Sequence, residues 1–94
     1  MIEWTEQASL QLEQAQAYIA LSNSPEVANR IVTRILASVQ QLAAFPTSGR
    51  SGRVPGTREL VIPNTPLIAA YVLEHDRVVI LAIYHGAQRW PEVF

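Results

Sequence analysis

The sequence predicts a two-layer α+β fold in which an antiparallel helical hairpin packs on a largely antiparallel β-sheet. Two long segments with helical periodicity fill the first half of the chain, and three strand-like runs with short links follow in the second half. A short apolar run ahead of the helices supplies an additional edge strand. Helices grouped before strands, instead of alternating with them, favour helices on one face of an antiparallel sheet.

The composition is that of a small globular protein. The chain has 94 residues, of which 49% are hydrophobic and 16% are charged, so we expect one domain over residues 1–94 with a small core. It contains no cysteine, which excludes disulfides and thiol chemistry. No stretch matches a membrane span and the start does not resemble a signal peptide, so we expect a cytoplasmic protein without membrane association.

The first strand and the first helix are predicted from residue types at the start of the chain. Ile2–Trp4 is long enough only for an edge strand. Thr5 is a typical helix cap, and Glu6 suits the positive end of a helix dipole. The helix is predicted over residues 6–21, because apolar residues recur there at steps of three and four. These residues are Ala8, Leu12, Ala15 and Ile19.

The second helix is predicted from Pro25 to about Ala44. Ser24 is a cap former and Pro25 fits the first helical position. Arg30 and Arg34 lie one turn apart on a polar face. The opposite side is apolar and consists of Val27, Ile31, Ile35, Val39 and Leu42. Because the link between the helices is so short, they are expected to pack as an antiparallel hairpin.

Three strands are predicted in the second half of the chain, over residues 57–62, 67–74 and 77–84. The links between them are short enough for hairpins. The preceding segment, 47–56, is rich in turn-forming residues and is predicted to be a loop.

The last strand differs from the others because every residue from Val78 to Tyr84 is apolar. Such a run is typical of a strand covered on both faces, whereas two helices cover only one face of a sheet. We therefore expect the second face to be shielded by the C-terminal tail with Trp90, by a second copy or by a different protein. We favour a partner on this face, so that the chain works in a complex, over the alternative that the apolar patch is a ligand groove.

All positive side chains are arginines. Seven positive residues and a net charge of −1 leave the chain without the overall basic character of a nucleic-acid-binding domain. The segment from Gly49 to Leu60 nevertheless holds three arginines and three of the four glycines. Because arginine suits bidentate contacts with carboxylates and phosphates, this segment is a candidate surface for an anionic target or a partner protein.

Candidate catalytic residues are few. The chain has no cysteine or histidine cluster and no phosphate-binding loop, so neither a metal nor a cofactor is expected. His85 could exchange a proton near neutral pH, Arg58 could stabilise a phosphate, and with Glu59 they could cleave RNA through its 2′-hydroxyl. From the residues alone, a structural role is favoured, in which His85 bonds the backbone and Arg58 pairs with a carboxylate.

Short motifs occur in a fixed order along nearly the whole chain. They are Trp4 before an Ala/Leu helix, Tyr18-Ile19, Pro25, Leu42-x-x-Phe45-Pro46, Gly49-Arg50, Gly56-Thr57-Arg58-Glu59-Leu60-Val61, Tyr71 and Ile83-Tyr84-His85-Gly86-Ala87-Gln88. This ordered set resembles the RelE/ParE toxins of bacterial type II toxin–antitoxin modules. The resemblance implies the RelE/ParE-like fold and a growth-inhibiting toxin of the kind associated with plasmid stabilisation.

The resemblance also implies a protein partner. Such toxins are held inactive by a cognate antitoxin from the same operon, whose C-terminal segment packs on the helices and often extends the sheet. Operator DNA is then contacted only indirectly, through the antitoxin. The candidate antitoxin-binding residues of this chain are Arg30, Arg34, Val79, Leu81 and Ile83.

Two targets are open within this family. RelE-like members cut messenger RNA on the ribosome and would use Arg58, Glu59 and His85 as catalytic residues, whereas ParE-like members poison DNA gyrase and are not enzymes. This chain has no lysine, and Gly86 and Trp90 stand where a catalytic tyrosine is expected. Its charge of −1 also fits poorly with docking into ribosomal RNA.

These departures favour the ParE-like, gyrase-poisoning function, with the RelE-like ribosome-dependent endoribonuclease as the alternative. The candidate contacts with the target are found in the Gly/Arg segment and at the end of the last strand. They are Arg50, Arg53, Arg58, His85, Gln88, Arg89 and Trp90.

Overall fold

Two helices and five strands are found in residues 1–86, the part of the chain that a computed structural model describes. The helices are α1 (Glu6–Ser22) and α2 (Pro25–Gln40), and α2 continues into a 3₁₀ turn, Gln41–Ala43. The strands are β1 (Ile2–Trp4), β2 (Arg50–Ser51), β3 (Arg58–Val61), β4 (Leu67–Glu74) and β5 (Arg77–His85). The predicted helices and strands are present, whereas β2 lies where the sequence predicted a loop.

The sheet has the strand order β1-β5-β4-β3-β2. Neighbouring strands from β2 to β5 are antiparallel, while β1 lies parallel to β5 with Ile2 opposite Val78. A parallel pair needs a long connection, and the chain between β1 and β5 contains both helices as well as the other three strands. The predicted two-layer α+β fold is therefore confirmed. Neither helix of the described region is long and apolar enough to cross a membrane.

The start of α1 is fastened to an irregularity in β5. Ala70 of β4 lies opposite Ala82, but the next residue, Tyr71, lies opposite Ile80, so Leu81 is an extra residue in the ladder. Thr5 caps α1 by accepting a hydrogen bond from the Ala8 backbone N–H at 3.0 Å, and its hydroxyl donates to the Leu81 carbonyl at 3.2 Å. The predicted cap thus also joins the helix to the sheet.

The main core lies between the helices and the sheet. The apolar stripe of α2 supplies Ile35 and Val39, and Leu42 of the 3₁₀ turn extends it. Trp4, Leu12 and Ile31 pack at the margin. The buried members of this core are Ala8, Ile35, Val39, Leu42, Ile62, Leu67, Ala69, Tyr71, Val78, Ile80 and Ile83.

The second face of the sheet carries a smaller buried cluster. Ile68, Ala70, Ala82 and Tyr84 are each at most 8% exposed, which confirms that β4 and β5 are covered on both faces. Because this burial exists within one chain, these four residues need no second protein to shield them. The expectation that placed Trp90 on this face concerns a residue outside the described part of the chain.

Tyr71 connects the main core to the segment before β3. Its side chain is fully buried, and its hydroxyl accepts from the Gly49 backbone N–H at 3.0 Å and donates to the Pro46 carbonyl at 2.9 Å. Gly49 is required by this close approach, because a Cβ atom there would lie 2.5 Å from the Tyr71 hydroxyl oxygen. The Tyr71 hydroxyl therefore fixes the backbone at both Pro46 and Gly49.

Replacing Tyr71 with Phe is expected to lower the free energy of unfolding by about 1–3 kcal/mol, because a buried N–H and a carbonyl lose their partner. Urea denaturation followed by circular dichroism measures this change. Tyr18→Phe is the matched control, since Tyr18 is 71% exposed and its substitution should change stability by less than about 0.5 kcal/mol. Equal effects of the two substitutions would contradict this account of Tyr71.

Candidate functional site

Glu59 lies at the centre of the predicted site, in the middle of β3. It stands opposite Arg50 of β2, so both side chains emerge on the same face of the sheet. The carboxylate is only 3% exposed and forms an ion pair with Arg50, with 2.9 Å between Nη2 and Oε1. Its second oxygen accepts the backbone N–H of Arg53 at 3.1 Å. Both carboxylate oxygens therefore hold the segment that precedes β3.

Arg58 precedes Glu59 and emerges on the opposite face, because side chains alternate along a strand. It lies opposite Tyr71 of β4. Its Nη1 donates to the Gly49 carbonyl at 3.0 Å and to the Thr47 carbonyl at 3.3 Å. The guanidinium bonds backbone carbonyls and no surface carboxylate among the described residues, which differs in detail from the structural role expected from sequence.

His85 ends β5 and is exposed. It lies opposite Leu67, whereas Arg58 lies opposite Tyr71, four residues farther along β4. This offset is about 13 Å along the strand at the usual rise of 3.3 Å per residue. The structure therefore does not bring Arg58, Glu59 and His85 together.

Tyr84 shares the second face with Glu59. Burial raises the pKa of the Tyr84 phenol well above its usual range, and the negative charge of Glu59 raises it further, against the opposing effects of Arg53 and Arg50. The phenol therefore stays neutral at physiological pH. These charges act on Tyr84 because the second-face cluster and the Gly/Arg segment are neighbours.

An apolar groove lies between α1, the start of α2 and the end of β5, and Tyr84 and His85 are part of its lining. Its volume is about 690 Å³. Tyr18 borders it and is 71% exposed. The apolar residues of the lining include Ala15, Tyr18, Ile19, Val27, Leu67 and Ile83.

The predicted antitoxin-binding residues do not share one surface. Ile83 borders the groove, whereas Val79 and Leu81 are half-buried elsewhere on β5. Arg30 and Arg34 border a separate shallow depression on α2.

Tyr18 was not expected from the sequence to line a groove. The available signal was that α1 is apolar outside its predicted stripe, with Leu10, Tyr18 and Leu21 all exposed.

The remaining predicted site residues divide between two regions. Arg50 and Arg53 are exposed next to β3, whereas Gln88, Arg89 and Trp90 lie outside the described residues. Within residues 1–86, no group of three histidine, aspartate or glutamate side chains is placed to hold a metal ion.

Comparison with known proteins identifies relatives along almost the whole chain. The family model for the ParE toxin of the parDE type II toxin–antitoxin system matches residues 2–90. The candidate toxin Y4kP of Sinorhizobium fredii is 44% identical over 92 residues, which cover 98% of this chain and 94% of that protein.

Solved structures show the same relationship. A chain of the chromosomal ParDE toxin–antitoxin system of P. aeruginosa matches with a TM-score of 0.82 and 28% identity, covering 89% of this chain and 92% of that one. The conserved hypothetical protein HP0894 of Helicobacter pylori shares the fold, with a TM-score of 0.56 at 12% identity and coverage of 93% and 94%. Sequence and structure agree in their result: this chain belongs to the ParE toxin family of parDE type II toxin–antitoxin systems.

Proposed function

We propose that this toxin arrests growth by poisoning DNA gyrase through protein–protein contact and not by cutting RNA. The observation that carries the proposal is the separation of Arg58, Glu59 and His85. General acid–base catalysis needs its groups within hydrogen-bond reach of one reacting position. Here the Arg58 and His85 positions are about 13 Å apart along the sheet, and Glu59 emerges on the face opposite Arg58.

The bonding of these residues supports the same proposal. The two carboxylate oxygens of Glu59 accept hydrogen bonds from Arg50 and Arg53, and Arg58 donates to two backbone carbonyls. Using either group in catalysis would require releasing the segment that it holds. The net charge of −1 and the absence of lysine also disfavour docking onto ribosomal RNA, which needs many cations.

We infer that the cognate antitoxin, the partner that family membership implies, places an apolar segment in the groove between α1 and β5. The groove has an apolar lining and exposes the aromatic ring of Tyr18, a residue type that is frequent among binding hot spots. An amphipathic helix that inserts its apolar face is the usual occupant of such a groove. Arg30, Arg34, Val79 and Leu81 remain candidate contacts for the rest of the antitoxin.

The gyrase proposal predicts that purified toxin traps gyrase on cleaved DNA. Incubation with gyrase and supercoiled plasmid should yield linear DNA after detergent and protease treatment. Expression of the toxin in cells should induce a DNA-damage response. Toxin that has first been saturated with antitoxin is the control and should yield no linear product. Intact plasmid, combined with rapid loss of translation in cells, would reject gyrase in favour of the ribosome.

The groove proposal predicts that Tyr18→Asp weakens antitoxin binding by about tenfold or more, because a charge replaces an aromatic anchor at an apolar contact. Titration calorimetry measures the affinity. Leu10→Asp is the matched control, since Leu10 is also exposed on α1 but does not border the groove. If the two variants bind the antitoxin with similar affinities, the groove is not its binding site.

A further inference from the structure

The segment of residues 46–57, here called the arginine loop, is fixed by three side chains from the sheet. Tyr71 bonds its backbone at Pro46 and Gly49, and Arg58 bonds it at Thr47 and again at Gly49. Glu59 then fixes the next part, because it binds the Arg50 side chain and the Arg53 backbone N–H. These bonds hold the loop at successive positions from residue 46 to residue 53.

The rest of the arginine loop closes on itself. The Gly52 N–H donates to the Thr57 carbonyl at 2.8 Å, and the Thr57 hydroxyl donates to the Val54 carbonyl at 2.6 Å. A Cβ atom on Gly52 would overlap the Thr57 hydroxyl oxygen. Gly56 adopts a φ of 85°, which glycine tolerates best. The glycines of this segment therefore permit one tightly bonded turn.

Holding a surface loop with the buried carboxylate of Glu59 has a large desolvation cost. It is 3% exposed, and its partner Arg50 is 59% exposed. Its neighbour across the strands, Ala70, is apolar and fully buried. Burying a charge costs several kcal/mol of desolvation, and apolar side chains of similar volume often give equal or greater stability at such a site. We read this charge as serving the geometry of the arginine loop.

We propose that the arginine loop is a pre-ordered contact surface for an acidic patch on the toxin's protein target, and that Glu59 is its positioning residue. The proposal rests on the function proposed above. Arg53 is exposed on the loop while its backbone is bonded to Glu59. A loop that is ordered before binding loses less conformational entropy when the complex forms.

The charges of the loop favour a protein over a nucleic acid as its binding partner. Glu59 compensates the charge of Arg50, and Arg58 is bonded to carbonyls within the molecule. Binding to a phosphate backbone depends on several cations that neutralise successive phosphates. The planar donors of an exposed arginine on an ordered backbone suit bidentate contact with a carboxylate on a protein surface.

The first test reverses the charge of Arg53. Arg53→Glu should raise the toxin level needed for growth arrest by about tenfold or more, which is the effect of losing roughly 1.4 kcal/mol of binding. Its affinity for the antitoxin should not change. Arg77→Glu is the matched control at the other side of the sheet, because surface ion pairs such as those of Arg77 contribute little. Growth arrest by Arg53→Glu at wild-type levels would overturn the proposal.

The second test removes the charge of Glu59. Glu59→Gln should accelerate trypsin cleavage after Arg53 by about tenfold or more, since a loss of about 1.4 kcal/mol in local ordering raises the open population by that factor. Growth arrest should weaken with it. Glu3→Gln is the control, because Glu3 also pairs with an arginine, at 2.7 Å, but its side chain is 42% exposed. Cleavage of Glu59→Gln at the wild-type rate would refute the positioning role. If Glu59→Gln fails to fold, the exposed Arg53→Glu change still decides the proposal.

Growth arrest separates this inference from the gyrase proposal. If the wild-type toxin arrests growth without trapping cleaved DNA, the gyrase proposal fails, yet loss of arrest in Arg53→Glu still supports the arginine loop as the target contact. Direct DNA binding by the wild-type toxin that is lost in Arg53→Glu would overturn the acidic protein partner. A wild-type toxin that does not arrest growth would overturn both.

Discussion

The buried phenol of Tyr71 is the interaction on which both the core and the arginine loop depend. Its ring is part of the apolar layer between the helices and the sheet, whereas its hydroxyl bonds the backbone at Pro46 and Gly49. A tyrosine is well suited to this position because it is apolar over most of its surface and polar only at its tip. The beginning of the loop consequently takes its position from the core.

Two side chains of β3 also hold the loop, one from each face of the sheet. Arg58 and Glu59 are adjacent, so a strand directs them to opposite sides, yet both reach the same loop. Arg58 bonds it from the side of Tyr71, and Glu59 bonds it from the side of Ala70. Arg58 and Glu59, two of the three residues of the expected nuclease set, thus act together here to hold the backbone of the loop.

The sequence predicted the elements well where periodicity and capping decide the structure. The Thr5 cap, the Pro25 start and β4 occur at the expected positions because each depends on neighbouring residues. Strand β2 was missed, since its two residues carry no periodic signal and exist as a strand through pairing with β3. The groove at Tyr18 was also missed, because it forms only when two helices and a strand end come together. The opposite faces of Arg58 and Glu59, by contrast, could have been foreseen from alternation along a strand.

Because β1 pairs in parallel with β5, the first strand has no partner until a strand about 75 residues later has been made. The Thr5 hydroxyl donates to a carbonyl 76 residues later, so this link between the start of α1 and the sheet cannot form until β5 has been synthesised. At common translation rates this delay is roughly 4 to 15 s. Non-local pairing of this kind also slows folding itself. The sheet can therefore close at β1 only after β5 is available, so the strand nearest the start of the described region is among the last to find its partner.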